Sequence, residues 1–161
     1  AVSKSASSNI ASLSQENWEE KGKIHLLSEN FFALLLKFPQ LFSQHVAALR
    51  SEFFDHTTLA GLYESLKKHY NGNIDMAMVK SSLTMEEQSS IDILVLKTDK
   101  DYSDFDLEKT NKELVVLLSA IKSEWQKNRR QKLLIELKEA GKNNNPELVQ
   151  KILKEMMDLE R

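Results

Sequence analysis

One stretch restricts this chain more than any other. From about Asp104 to Ala140, apolar residues return at three- and four-residue intervals, the spacing of one face of a helix. As a single helix it would measure roughly 55 Å at ~1.5 Å per residue. Its two ends differ. Leu107, Leu114, Leu117, Leu118, Ile121 and Trp125 form an apolar stripe, Gln126 to Lys132 contains no apolar residue, and the stripe resumes with Leu133, Leu134, Leu137 and Ala140. For nearly two turns nothing marks a buried face. Gly141 suits a helix stop, Asn145 a cap and Pro146 a first helical position. The helix that follows carries Leu148, Val149, Ile152, Leu153, Met156, Met157 and Leu159. The expected ending is a helical hairpin, too small to hold a full core.

Upstream, punctuation divides the chain into shorter helices. Ser28 is placed to cap a helix bearing Phe31, Phe32, Leu34, Leu35 and Leu36, which must stop near Phe38 because the residue before Pro39 is biased out of the helical region. Pro39 suits the first turn of a short helix with Leu41, Phe42 and Val46. Asp55 precedes a third pattern in which Leu59, Leu62, Tyr63, Leu66 and Tyr70 share a face, ended by Asn71-Gly72-Asn73. Asp75 starts a fourth, with Met76, Val79 and Leu83. Thr84 with Glu87 reads as a capping box opening a fifth through Ile91, Leu94 and Val95. Ile93 to Leu96 would also suit a strand, but no partner strand is evident, so the segment is read as helical. The reading is all-α: residues 1–23 a Ser-rich linker, 24–125 a helical bundle, and 126–161 a hairpin joined to it by the long helix.

Composition narrows the chemistry. The 161 residues include no Cys, which excludes a disulfide framework, a thiol nucleophile and Cys-ligated metal. A formal net charge of -2 gives no global attraction to nucleic acid or anionic lipid. Charge is uneven, however: residues 126–161 carry 9 bases and 6 acids, against 13 and 18 in the rest. Two units with separate surfaces are expected from that difference. No apolar run approaches the ~18 residues of a membrane span.

Candidate sites are few. His25, His45, His56 and His69 form no pair at ligand spacing. Asp99 to Asp104 opens like a calcium loop, but Asp104 replaces the required glycine and Thr110 the closing glutamate. Acids near the positive end of the long helix explain the run better. No glycine-rich phosphate loop and no nucleophile motif appears. No catalytic residue, metal or cofactor is expected in this segment. Trp125 with Lys127, Arg129, Arg130 and Lys132 would suit stacking on single-stranded nucleic acid, or a solvated connector that lets the hairpin swing. The apolar face of the last helix, with Met156 and Met157, suits a core, an adaptable partner surface, or both.

The order of these signals is similar to a known family. Glu29-Asn30-Phe31-Phe32-Ala33-Leu34-Leu35-Leu36-Lys37-Phe38-Pro39-Gln40-Leu41-Phe42 resembles the opening of the C-terminal helicase-binding domain of bacterial DnaG-type primases. Phe53-Phe54-Asp55, then Leu59, Leu62, Tyr63 and Leu66, then Asn73-Ile74-Asp75 and Val79, look like that domain's next stretch. Leu133 to Gly141 and the following helix look like its terminal hairpin. The resemblance covers roughly residues 24–161 through diffuse apolar patterns. Gln40, where the family often has an acid, and the Asn143-Asn144-Asn145 turn depart from it. It implies a cytoplasmic, non-catalytic module that docks a bacterial primase on the N-terminal domains of the hexameric DnaB-type helicase. Leu148, Val149, Ile152, Leu153, Met156, Met157 and Leu159 would contact the partner, and Lys127, Arg129, Arg130 and Lys132 would form the hinge. The first part is also similar to the N-terminal domain of the helicase itself. Pairing of two hairpins into a homodimer is a further expectation.

Overall fold

The computed structural model describes residues 22–54 and 59–160. Every regular element among them is helical. The linker as far as residue 21 and Asp55 lie outside the described residues, whereas Gly22 and Lys23, read as the end of the linker, are already helical. Ser28 is therefore no cap but lies within that helix, its Oγ donating to Ile24 O at 2.7 Å. The chain forms two compact units, one ending at Ile121 and the other beginning at Lys122.

In the first unit, helix α1 (residues 22–37) supplies the centre. Phe31, Phe32, Ala33, Leu34 and Leu35 are all buried, so over these five residues the helix is apolar around its whole circumference rather than along one stripe. It ends where Pro39 forbids continuation, and Phe38 N–H closes the last turn on Leu34 O at 3.2 Å. A 3-10 turn (Pro39–Leu41) leads into the single turn of α2 (Phe42–His45), and further 3-10 turns follow at Val46–Ala48 and Ser51–Phe53. Aromatic rings then tie the elements together. Phe32 lies 5.5 Å from Phe31 and 5.0 Å from Phe54, and Phe54 lies 5.1 Å from Tyr63 on α3 (Ala60–Lys68), between ring centroids. Tyr70, beyond the end of α3, packs edge-on against Phe42 at 5.2 Å. Gly72, at φ 101°, makes the turn that follows.

Local chemistry sets the next starts. Asp75 accepts Ala77 N–H to open α4 (Met76–Ser81). Thr84 and Glu87 form a complete capping box at α5 (Met85–Asp101), and Ile93 to Leu96 lie inside that helix. Ile91 and Leu94 are buried, but Val95 is exposed, as is Leu107 at the start of α6 (Leu107–Lys142). Asp106 is the cap of α6, its side chain accepting Lys109 N–H at 2.8 Å. Three long-range polar bonds fix α1, α2, α5 and α6. Thr98 Oγ1 donates to Ala33 O at 2.9 Å, Lys37 Nζ to Tyr102 O at 2.5 Å, and the His45 ring bonds Asn111 Oδ1 at 2.8 Å.

Burial raises the Tyr63 pKa above the ordinary tyrosine value, and neighbouring Glu64 adds to the effect. Tyr102 is raised too, by burial first and then by Glu113 and Asp101. A phenol harder to ionise folded than unfolded costs nothing below about pH 10. Above it the unfolded chain binds fewer protons than the native one, and stability falls as pH rises. Urea midpoints measured from about pH 9 to about pH 11 are expected to drop, with a shallower drop in Tyr63→Phe.

In the second unit, α6 from Lys122 onward turns back into α7 (Pro146–Leu159). Gly141 does not stop α6. The helix runs through it to Lys142, and Asn144 takes the left-handed backbone at φ 50°. Asn145 N–H bonds Ala140 O at 3.1 Å and Asn144 N–H bonds Gly141 O at 3.3 Å, the paired bonds of a Schellman ending in which Asn does what glycine usually does. Asn145 Oδ1 then accepts Leu148 N–H, and Pro146 occupies the first turn of α7. Gly141 is thus a helical glycine with nothing within 4 Å of where a Cβ would stand. Gly141→Ala is expected to stabilise the chain by about 0.5–1 kcal/mol, read as a shift in denaturation midpoint.

Candidate functional site

The sequence directs attention to the hairpin, and its seam decides what each side chain there does. Leu133, Ala140 and Ile152 are buried together, with Leu137, Val149, Met156 and Leu159 packed against them. The spacing 149, 152, 156, 159 on α7 is the three-and-four alternation of two helices lying side by side. Polar bonds close the end opposite the turn. Gln126 Nε2 donates to Leu159 O at 3.1 Å, and Arg129 Nε donates to Glu155 Oε1 at 3.0 Å, with Arg129 Nη2 on the same oxygen.

The seven apolar residues expected at a partner surface therefore divide. Val149, Ile152, Met156 and Leu159 make the hairpin's own seam. Leu148, Leu153 and Met157 remain exposed, at 40%, 40% and 65%. Leu134, assigned by periodicity to the α6 stripe, is 50% exposed as well. Its position shows why: at about 100° per residue it stands a quarter turn from Leu133, off the line through Leu133, Leu137 and Ala140. Counting angles rather than apolar spacing would have found it.

The four bases of the connector divide too. Helix α6 is continuous through 126–132. Around it, Lys127 and Arg130 fall on one side of the seam, whereas Arg129, Lys132 and Trp125 fall on the other. Arg129 is committed to Glu155, which identifies its side on α7 as the one carrying Leu148 and Glu155. The opposite side collects Lys127, Arg130, Leu134 and Lys138 from α6 with Leu153 and Met157 from α7. A strand of nucleic acid lying along Lys127 and Arg130 would have Trp125 out of reach behind the helix, which separates the charge from the stacking platform.

Elsewhere the candidates do not assemble into a site. His25 Nε2 pairs with Glu29 Oε1 at 2.9 Å on α1, His45 bonds Asn111, and His56 lies outside the described residues. Among the described residues no three His, Asp or Glu gather as a metal site, and no helix is long and apolar enough to cross a membrane. In comparisons with known proteins, no family model matches this chain, and no curated protein or solved structure matches it significantly.

Proposed function

We propose that this chain is the helicase-docking module of a DnaG-type primase, which uses the hairpin to hold the primase on the N-terminal domains of the hexameric replicative helicase. One observation carries the reading. The hairpin closes through its own seam and still leaves Leu134, Leu148, Leu153 and Met157 in solvent. Side chains of that kind on a small, self-closed element are the anchors of a docking surface rather than a core waiting to form. The likeness of Glu29 to Phe42 to the primase domain supports the choice of partner. In this reading catalysis belongs to another part of a cytoplasmic primase, this segment binds no cofactor, and docking couples primer synthesis to unwinding. Apolar anchors supply most of the affinity, while rim charges set register and association rate.

Size-exclusion chromatography with light scattering, on the chain alone and mixed with the intact helicase hexamer, tests this. Co-elution is expected, and loss of co-elution in Leu153→Glu/Met157→Glu. Separate elution beside an intact hexamer overturns the reading. Ring-sized assemblies of the chain alone would point instead to the helicase's own N-terminal domain.

A further inference from the structure

The two sides of the hairpin differ in charge as well as in apolar content. The side marked by the Arg129–Glu155 pair mixes signs, with Lys132, Glu136 and Glu139 on α6 and Lys151 on α7 beside that pair. The other side carries Lys127, Arg130 and Lys138, all exposed and none in an ion pair with a described residue, along one edge of Leu134, Leu153 and Met157. Glu160, at its far end, is the acid there. From Lys127 to Lys138 the bases run about 16 Å along α6, three helical turns.

We infer that this side of the hairpin receives an acidic, apolar-faced helix of the partner, its apolar residues entering between Leu134 on α6 and Leu153 and Met157 on α7, and its carboxylates facing Lys127, Arg130 and Lys138. The inference rests on the docking function above and specifies its partner's chemistry. Two antiparallel helices leave a shallow groove along each side, and an amphipathic helix lying in such a groove is an established way to bury a few apolar anchors. The excess of bases selects acids beside those anchors and repels a second copy of the same surface. Met157, unbranched and polarizable, adapts to the apolar residue it meets. Leu134 stands where a nucleic-acid platform would need an aromatic ring.

The test uses the full chain and a synthetic helical peptide with leucines at i, i+3, i+4 and i+7 flanked by glutamates, beside a twin flanked by lysines. Methyl NMR locates binding, and circular dichroism confirms that each variant is folded. The glutamate peptide is expected to bind about ten-fold tighter than its twin and to shift Leu134, Leu153 and Met157. Leu134→Glu/Met157→Glu and Lys127→Glu/Arg130→Glu should each weaken it about ten-fold, with Leu148→Glu unchanged. Equal affinities for the two peptides, or shifts centred on Leu148, overturn the inference. So does binding of a single-stranded oligonucleotide that needs Lys127 and Arg130 but survives Leu134→Glu/Met157→Glu. A helicase that binds wild type and Leu134→Glu/Met157→Glu equally overturns the inference and leaves the docking function standing. A helicase that ignores a chain still able to take the glutamate peptide overturns the docking function alone and supports the inference.

Discussion

Ile152→Asp is expected to unfold the hairpin and leave the unit ending at Ile121 intact. Ile152 is 2% exposed and packs with Leu133 and Ala140, and these three are the fully buried residues of the hairpin seam. Truncating such a side chain to Ala costs about 2–5 kcal/mol. A carboxylate in its place adds several kcal/mol for losing water without gaining a partner. A unit of about 40 residues has little stability to set against that loss. Hydrogen exchange should show amides of α7 and of α6 beyond Lys122 losing protection, with α1 and α5 unchanged. Ile152→Val, which keeps the seam shape, should cost about 1 kcal/mol and preserve the pattern. Full protection of α7 in Ile152→Asp would mean that something other than this seam holds the hairpin closed. The result also decides how binding is tested. A charge at Ile152 would remove the proposed docking surface by unfolding it, so Leu153 and Met157, exposed beside the seam, are the positions that would report on contact.

What the sequence shows and hides follows from the range of each interaction. The caps at Asp75, Thr84 and Asn145 and the break at Pro39 were legible because each is settled within four residues. Ile93 to Leu96 reads as helical for want of a partner strand, and it lies inside the helix that the Thr84 capping box opens. Gly141 misled because the same local rules admit two left-handed residues at one helix end, and the choice of Asn144 depends on where α7 must begin. The candidate site was harder. Half the positions of α7 are apolar, more than one stripe holds, and only packing on Leu133 and Ala140 separates Ile152 from its neighbour Leu153. Likewise a run of bases is one patch in a line of text and two patches around a helix. The partner proposed above rests on a resemblance, since no short sequence motif marks a docking surface.

Phe32→Ala should produce the complementary pattern, a large loss in the first unit with the hairpin unaffected. Phe32 is completely buried, in a run of five buried residues on α1, and its ring joins Phe31 to Phe54. Phe54 in turn meets Tyr63, so one deletion interrupts a chain of rings linking α1 to the Ser51–Phe53 turn region and α3. Removing a buried Phe costs about 3–5 kcal/mol through lost transfer energy and the cavity left behind. For a domain near 100 residues this lowers the melting temperature by roughly 15–25 °C. Phe38, just beyond the C-terminal end of the same helix, is half-buried with Lys37 Nζ 5.7 Å from its ring centroid, and Phe38→Ala should cost well under half as much. That contrast separates burial from residue type, since both changes delete the same ring. Hydrogen exchange on Phe32→Ala then tests the division between Ile121 and Lys122. Opposite protection patterns in Phe32→Ala and Ile152→Asp would establish two units that unfold separately. Loss of α7 protection in Phe32→Ala would mean that the hairpin draws its stability from the first unit, and that a docking surface built on it responds to the state of the whole chain.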